Sequence, residues 1–446
     1  MRRRQFCKDL GLLSLLPLLS NCRAKGDPPE PWLDLFDLSK ENLSKVWGSL
    51  SAASGTLYCE VALELTLLRE SLLDQRGTLS RPRLSINRVG SLRRLSPKGE
   101  RFASTQEPSR LFELLPLLTS ASLPRSLPPR PTDPLPVLPE GDNLFSPPPS
   151  LPIPPGRVLP FREILRYRLL LTSPGTFAAA REETRQIVPD LFPLPLPEGE
   201  ALRTLLSPPH PTLPSPPPGG GWILFSPGQG AQGWLSLLLP FLEGDRESPW
   251  LGKEGSSVLP TPLSLQETVI PSREDDEGVE SSGKELLEAG RLASLLHTRL
   301  SALRSKGVPG NGRRESFFYP PFAAPRELKA HGAHGLPFQE LLKQASGGVL
   351  VHEATPAFLS GTDRGFLLRV SRSSAIREGR ETGVLPPFLI AGEWDSLFKG
   401  CRWGQETPLS PVPLFITNQG QRLSVPFSAP ALLVDSLRIL PGERAS

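Results

Sequence analysis

The sequence predicts an α+β protein of two domains. An N-terminal domain sets helices against a sheet, and a larger, mostly antiparallel β domain follows. Three observations point that way. The first third of the chain has a helix pattern, then period-two strand patterns, then a second helix pattern, an order that packs helices on an antiparallel sheet. Two proline tracts, at about 123–156 and 193–218, interrupt it. From Gly219 onward short apolar runs follow one another, each bounded by Gly, Pro or Asn, the mark of many short strands. At 446 residues the chain can hold two domains of ordinary size and bury a core without disulfide staples.

Residues 1–24 read as an export signal. Arg2, Arg3, Arg4 and Lys8 form a basic start, and the apolar run 10–19 is too short to span a bilayer permanently. Arg3-Arg4-Gln5-Phe6-Cys7-Lys8 has the R-R-x-F-x-K form of a twin-arginine signal. Leu19-Ser20-Asn21-Cys22 resembles a lipobox, with Cys22 as the lipidated residue. A periplasmic or membrane-anchored protein is therefore expected, held to the membrane only through a lipid. Twin-arginine export carries folded chains, so Cys59 and Cys401 would fold under reducing conditions and are expected not to pair.

The N-terminal domain is expected over residues 36–218. In residues 39–51, Leu43, Val46, Trp47 and Leu50 share one helical face. Ser39 can cap that helix, and Glu41 suits its first turn. Cys59, Val61, Leu63, Leu65 and Leu67 alternate with Glu60, Glu64 and Thr66, a period of two that predicts a strand. Strands are also expected at 79–87, 90–95 and 100–104. Pro108 opens a second helix over 109–118, with Leu111, Phe112, Leu115 and Leu118 on one face. The tract at 123–156 reads as an extended, polyproline-like insertion, because proline lacks the N–H and fixes φ. Structure resumes at 161–173 and 177–187, and the tract at 193–218 closes the domain.

The C-terminal domain is expected over 219–446. Strands are predicted at 222–225, 349–353, 366–373, 388–390 and 432–440. Residues 230–242 form a buried helix that Pro240 should cut short. Leucine spacing alone would make 286–305 one helix. Gly290 costs ~1 kcal/mol inside a helix and suits a turn, so a turn, a strand to Leu296 and a short helix to Lys306 are preferred.

Composition narrows the function. With 50 Lys and Arg against 46 Asp and Glu, net charge is +4. That leaves no electrostatic case for nucleic-acid binding, which wants a clustered basic face. The Gly-rich runs at 219–221 and 228–230 lack the Lys-Ser/Thr of a phosphate loop. No Ser/His/Asp triad can be assembled, since the five His residues have no nucleophile phrase around them.

The strongest phrase is Gly310-Asn311-Gly312-Arg313-Arg314-Glu315-Ser316, a turn signal fused to a charged triplet. Asp275-Asp276-Glu277-Gly278-Val279 and Leu296-His297-Thr298-Arg299 precede it. Weaker phrases are Arg101-Phe102-Ala103-Ser104-Thr105, Leu224-Phe225-Ser226-Pro227-Gly228-Gln229-Gly230 and Pro387-Phe388-Leu389-Ile390. Taken in this order, they resemble the TldD/PmbA family of metallopeptidases and their partner subunits, over most of the mature chain. The resemblance implies a zinc helix, H-E-x-x-x-H, near Trp234 to Phe241, and a Cys ligand near Ile416 to Asn418. Zinc chemistry needs N or S donors converging at about 2 Å and an open position for water. Here Ser236 and Leu237 occupy the His-Glu positions, and the nearest thiol, Cys401, is displaced. The pattern is closer to the PmbA/TldE-type subunit that lacks the zinc motif.

Other constellations are weaker. His352-Glu353 imitates the start of a zinc motif, but Pro356 disfavours the helix it needs, and His352 reads as a strand-end residue. His331 and His334 lie in a Gly-rich loop. Arg313-Arg314-Glu315 could grip a peptide carboxylate or pair with the Asp275-Asp276-Glu277 run, the latter being preferred. His297 packs or caps, or faces a groove.

The expectation is a family member without catalytic residues or a cofactor of its own. It would partner a zinc-bearing TldD-like sibling as a heterodimer, or self-associate, or serve as a peptide-binding module, with a peptide as substrate. Asp275, Asp276, Glu277, His297, Asn311, Arg313, Arg314 and Glu315 are the peptide-groove candidates. The alternatives are an active metallopeptidase with a site rebuilt from His331, His334, His352, Glu353 or Cys401, and a structural envelope lipoprotein.

Overall fold

The computed structural model describes residues 22–25, 33, 36, 38–74, 79–119, 158–173, 176–187, 194–195, 219–245, 248–268, 274–359, 365–435 and 437–441. The chain divides into two compact units: Met1–Pro197 with Arg314–Pro321, and Glu198–Arg313 with Phe322–Ser446. A short segment from deep in the second half of the chain belongs to the first unit. The leader to residue 21, the tract at 123–156 and all of the second tract but Leu194–Pro195 lie outside the described residues. Among those described, no helix is long and apolar enough to cross a membrane.

The first unit contains helix α1 (Lys40–Ala52) and strands β1 (Cys22–Lys25), β2 (Tyr58–Asp74), β3 (Leu79–Ser96) and β4 (Gly99–Thr105). Helix α2 (Leu115–Thr119) and strands β5 (Val158–Ser173), β6 (Thr176–Ile187) and β7 (Leu194–Pro195) complete it. The strands form one antiparallel sheet in the order β1-β6-β5-β2-β3-β4, with β7 on β6. Cys22 to Ala24, assigned to the leader by sequence, are part of edge strand β1. Ser39 caps α1, its hydroxyl accepting the Asn42 N–H at 3.1 Å. Leu43, Val46, Trp47 and Leu50 are buried in one core with Cys59, Val61, Leu63, Leu65 and Leu67 of β2. Each fully buried leucine there contributes about 1.5–3 kcal/mol.

Two local expectations fail for identifiable reasons. The strands at 79–87 and 90–95 are one strand, β3. Gly90 is not a turn but a close-packing site, since a Cβ there would lie 3.0 Å from Leu111. The helix at 109–118 begins as a 3₁₀ turn, Pro108–Leu114. Its period of three turns Pro108, Leu111 and Leu114 inward and leaves Phe112 53% exposed.

The second unit is sheet-rich, in agreement with the expected fold class. Its elements run β8 (Gly219–Gly220), β9 (Ile223–Phe225), α3 (Gln232–Leu242), β10 (Leu263–Thr268), β11 (Lys284–Glu288), β12 (Arg291–Leu292), α4 (Arg299–Ser305), β13 (Gly312–Arg313), β14 (Phe322–Ala323), β15 (Glu327–Gly332) and α5 (Phe338–Gln344). Then come β16 (Val349–Leu359), β17 (Gly365–Arg377), β18 (Arg380–Leu385), β19 (Phe388–Glu393), α6 (Trp394–Phe398), β20 (Arg402–Trp403), β21 (Leu414–Asn418), β22 (Gln421–Val425), β23 (Phe427–Ser428), β24 (Leu432–Val434) and β25 (Arg438–Pro441). Among the described residues the larger sheet has the order β20-β24-β9-β16-β17-β19-β25-β8, with β18 on β17. A second has the order β12-β11-β10-β15-β23. Pairing is antiparallel except for β9–β16 and β15–β23.

Gly290 does make the turn. Ala289 and Gly290, at φ 47° and 81°, join β11 to β12, and two positive φ values in a two-residue hairpin are the type I′ pattern. A Cβ on Gly290 would meet the Thr261 carbonyl at 2.4 Å. The strand after it stops at Leu292 rather than Leu296. Pro240 does not shorten α3, which runs on to Leu242. Leu237, Leu238, Leu239 and Leu242 of that helix are buried in the main core, which offsets the roughly 3 kcal/mol that an interior proline costs.

Candidate functional site

In the second unit, the Gly-Asn-Gly turn organises a buried polar cluster. Asn311 is 1% exposed. Its Oδ1 accepts the His297 backbone N–H at 3.1 Å and a proton from Lys284 Nζ, and its Nδ2 donates to Glu267. Burial pushes the Glu267 carboxyl up, opposed by the Arg326 N–H, Lys284 and Asn311. Burial pushes the Lys284 ammonium down, opposed by Glu267 and Asp275. His297 is buried, its Nδ1 3.1 Å from Ser301 Oγ, and burial followed by the Lys284 charge lowers its pKa. It therefore packs at the start of α4.

The acidic run is turned inward as well. Asp275 Oδ1 accepts the N–H groups of Glu277 at 2.9 Å and Val279 at 2.8 Å, and Oδ2 accepts that of Gly312 at 2.9 Å. Glu277 Oε2 accepts the Arg299 N–H at 2.7 Å, so a carboxylate caps the first turn of α4, where the helix dipole favours it. Burial, followed by the Glu277 charge, pushes the Asp275 carboxyl up to about 7 against those three N–H donors. An unfolded Asp titrates near ~3.9. The folded chain thus holds this proton more tightly, and stability should fall as pH rises from about 4 to about 7, then level off. Thermal midpoints are expected to drop across that window, and Asp275→Asn should remove the drop. An equally steep dependence in the variant would place the titration on another group.

The arginine pair is split between the two units. Arg313 lies 3.8 Å from Asp276 and donates to the Pro325 carbonyl at 3.0 Å. Arg314 is buried and faces a carboxylate of the first unit. Its Nη2 lies 2.7 Å from Glu60 Oε1. Glu60 also accepts a hydrogen bond from the Tyr58 hydroxyl at 2.9 Å, and Arg93 stands 3.6 Å away. Burial alone would push the Glu60 carboxyl up, but Arg314 and Arg93 hold it below the usual range. Ser316 donates to Glu64 at 2.7 Å, and Arg168 Nε donates to the same carboxylate at 2.9 Å. The Glu315 carbonyl accepts from Arg168 at 3.1 Å. Period-two alternation put Glu60 and Glu64 on the face of β2 away from the helices, and nothing in the sequence marked them as buried partners of this phrase.

The zinc-helix position is a helix without zinc donors. On α3 the Ser236 hydroxyl donates to the Gln232 carbonyl at 2.7 Å, and Leu237 is wholly buried. Phe241, which falls where the second His of the motif would stand, packs on Trp394 and Trp250 with ring centroids 4.5 and 5.3 Å apart. This donor set does not fit zinc. The other candidates are dispersed. His331 lies on β15, and His334 is in the turn beyond it at φ 56°. His352 is inside β16 rather than at its end, with Nε2 2.9 Å from Glu381 and 3.2 Å from Ser374. Cys401 donates to Thr261 at 3.5 Å, and burial pushes its thiol up to about 11. Cys59 and Cys401 are free thiols. Among the described residues no group of three or more His, Cys, Asp or Glu side chains is placed to hold a metal ion.

Comparison with known proteins bears on both units. Residues 223–440 match the model of the PmbA/TldA metallopeptidase C-terminal domain. A metalloprotease of Archaeoglobus fulgidus is 25% identical over 159 residues, which are 36% of this chain and 36% of that protein. The match therefore spans about a third of that curated relative. Solved structures align over far more. TldE from Thermococcus kodakarensis is 16% identical with a TM-score of 0.62, covering 90% of this chain and 99% of that one. A modulator of DNA gyrase from Thermotoga maritima is 16% identical at 0.59, covering 90% and 99%. Another from Bacteroides thetaiotaomicron is 14% identical at 0.56, covering 91% and 100%. At such identities the likeness is one of fold.

Proposed function

The chain belongs to the TldD/PmbA family, and from that premise we propose that it is a subunit without metal chemistry of its own. It works beside a zinc-bearing, TldD-like sibling in a peptide-processing complex of the cell envelope. The observation that carries this reading is helix α3. The helix is intact and its core face is filled, yet Ser236, Leu237 and Phe241 stand where His, Glu and His would be needed. A hydroxyl bonded to its own helix, an isobutyl group and a stacked phenyl ring offer no base and no ligand. The family fold is kept while the family's chemistry is missing. That is the combination expected of a chain that supplies surface to a catalytic partner.

The role assigns little peptide-gripping work to the phrase 310–316. Asp275, Glu277, His297, Asn311 and Arg314 are buried and bonded to their own chain. Of the groove candidates, Asp276, Arg313 and Glu315 are the partly exposed ones. The envelope location rests on the twin-arginine-like and lipobox-like phrases ahead of and including Cys22.

The test is recovery of the tagged chain from its own host, followed by an assay of peptide hydrolysis. A co-purifying subunit bearing H-E-x-x-x-H is expected, with hydrolysis by the pair that a chelator abolishes. A chain recovered alone that cleaves peptide by itself would overturn the proposal.

A further inference from the structure

Within the first unit, one face of the sheet is covered by helices and the other by a piece of chain that arrives from far along the sequence. We infer that this second face is a receptor for a peptide segment of the form Arg-x-Ser-Phe, and that Arg314 to Phe317 is its resident occupant.

The receptor follows from strand register. On β2, Glu60, Ala62 and Glu64 share the face away from the helices. Arg93 of β3 lies opposite Glu60, and Val89 opposite Glu64. On the other side β5 places Leu170 opposite Ala62 and Arg168 opposite Glu64. The result is an apolar floor of Ala62, Val89 and Leu170 between two carboxylates and two guanidiniums.

The occupant fills each position with matching chemistry. Arg314 Nη2 meets Glu60 at 2.7 Å. Ser316 Oγ donates to Glu64 Oε1 at 2.7 Å, and the Phe317 N–H donates to Oε2 at 3.3 Å. The Phe317 ring packs on Ala62, Val89 and Leu170. Arg314 and Arg168 stand over that ring at 4.8 and 5.2 Å from its centroid, a cation–π arrangement on an apolar floor. Arg168 also holds the Glu315 carbonyl.

The segment is bent, not extended. Phe318 N–H turns back to Ser316 Oγ at 3.2 Å, and Tyr319 N–H to the Ser316 carbonyl at 3.0 Å. No residue of Arg314–Pro321 belongs to a strand. Side chains therefore make the attachment, and side chains read sequence, whereas strand addition reads mainly backbone. A segment recognised through an arginine, a hydroxyl two residues on and an aromatic ring next to it is a replaceable ligand, tethered here at high effective concentration.

The experiment uses the full chain and a fluorescent peptide, Gly-Arg-Arg-Glu-Ser-Phe-Phe-Tyr, copying residues 312–319. In the double variant Arg314→Ala/Phe317→Ala the peptide is expected to bind saturably, at least tenfold more tightly than to the wild type, whose own segment competes. Replacing the second Arg or the first Phe of the peptide by Ala should cost at least tenfold. Hydrogen exchange is read in parallel over residues 58–67 and 164–171. If the variant's sheet exchanges freely, the peptide is expected to restore its protection. Equal binding to wild type and variant, no binding to a protected variant sheet, or no restoration of an unprotected one would each overturn the inference.

Discussion

Glu60→Ala is expected to destabilise the first unit strongly, the largest single effect that the structure implies. Glu60, Arg93 and Arg314 side chains are all 0% exposed. One carboxylate serves two guanidiniums and a tyrosine hydroxyl. Removing it strips both cations of the anion they share, and breaking a buried pair from one side typically costs about 3–5 kcal/mol. That is a large part of the roughly 5–15 kcal/mol that stabilises a whole domain. Arg93 keeps a second carboxylate, Glu100. The pH dependence has a definite sign. The folded-state pKa of Glu60 is depressed, so its contribution is present above the unfolded value, about 4.3, and is lost as pH falls through the folded value. Hydrogen-exchange protection over β2, β3 and β5, taken relative to the intrinsic exchange rate at each pH, should therefore fall in acid in the wild type, and already at neutral pH in Glu60→Ala. Unchanged protection in the variant at pH 7 would mean that the buried pair carries little of the unit's stability.

Asn311→Ala should destabilise the second unit nearly as much, by about 3–5 kcal/mol. Three groups lose a partner at once: the His297 N–H, the Lys284 ammonium and the Glu267 carboxylate. A buried polar group left without a bond costs about 1–3 kcal/mol, more when charged, and neighbours in one network do not add simply. Asn311→Asp should also destabilise, because it sets a second carboxylate against Glu267, and it should recover partly as pH falls. These outcomes distinguish a structural bracket from a peptide-gripping residue. Truncation of a gripping residue would weaken peptide binding and leave the melting temperature unchanged.

The sequence made some of this legible, and the physical reasons divide cleanly. Elements with a strong local signature were readable: α1 from its spaced apolar face and Ser39 cap, β2 from its alternation, the 289–290 hairpin from Gly290. Elements decided by packing were not. Gly90 looks like punctuation until Leu111 is seen lying over it. The stretch 109–118 looks α-helical until a 3₁₀ start moves the inward face from Phe112 to Leu114. Pro240 should end a helix, but the core around Leu239 and Leu242 holds it together.

At the site, sequence pattern singled out polar phrases whose side chains the structure turns inward. Asp275, Glu277, His297 and Asn311 stood out as polar residues in ordered motifs, which reads as exposure to a ligand. Their partners include backbone amides and the buried side chains of Lys284, Glu267 and Ser301, a fact invisible without the turn that brings Gly312 back to Asp275. Glu60 and Glu64 were visible as the polar half of a strand pattern, normally a solvated face. That they are buried follows from Arg314 and Ser316, more than 250 positions away, and no local rule links residues so far apart.

The most direct measurement of the central claim is zinc content, by elemental analysis, of the purified chain folded without any partner. Far less than one zinc per chain is predicted, because the α3 positions hold a serine, a leucine and a phenylalanine. One zinc per chain, retained through exhaustive dialysis, would contradict the account and place metal chemistry in this subunit.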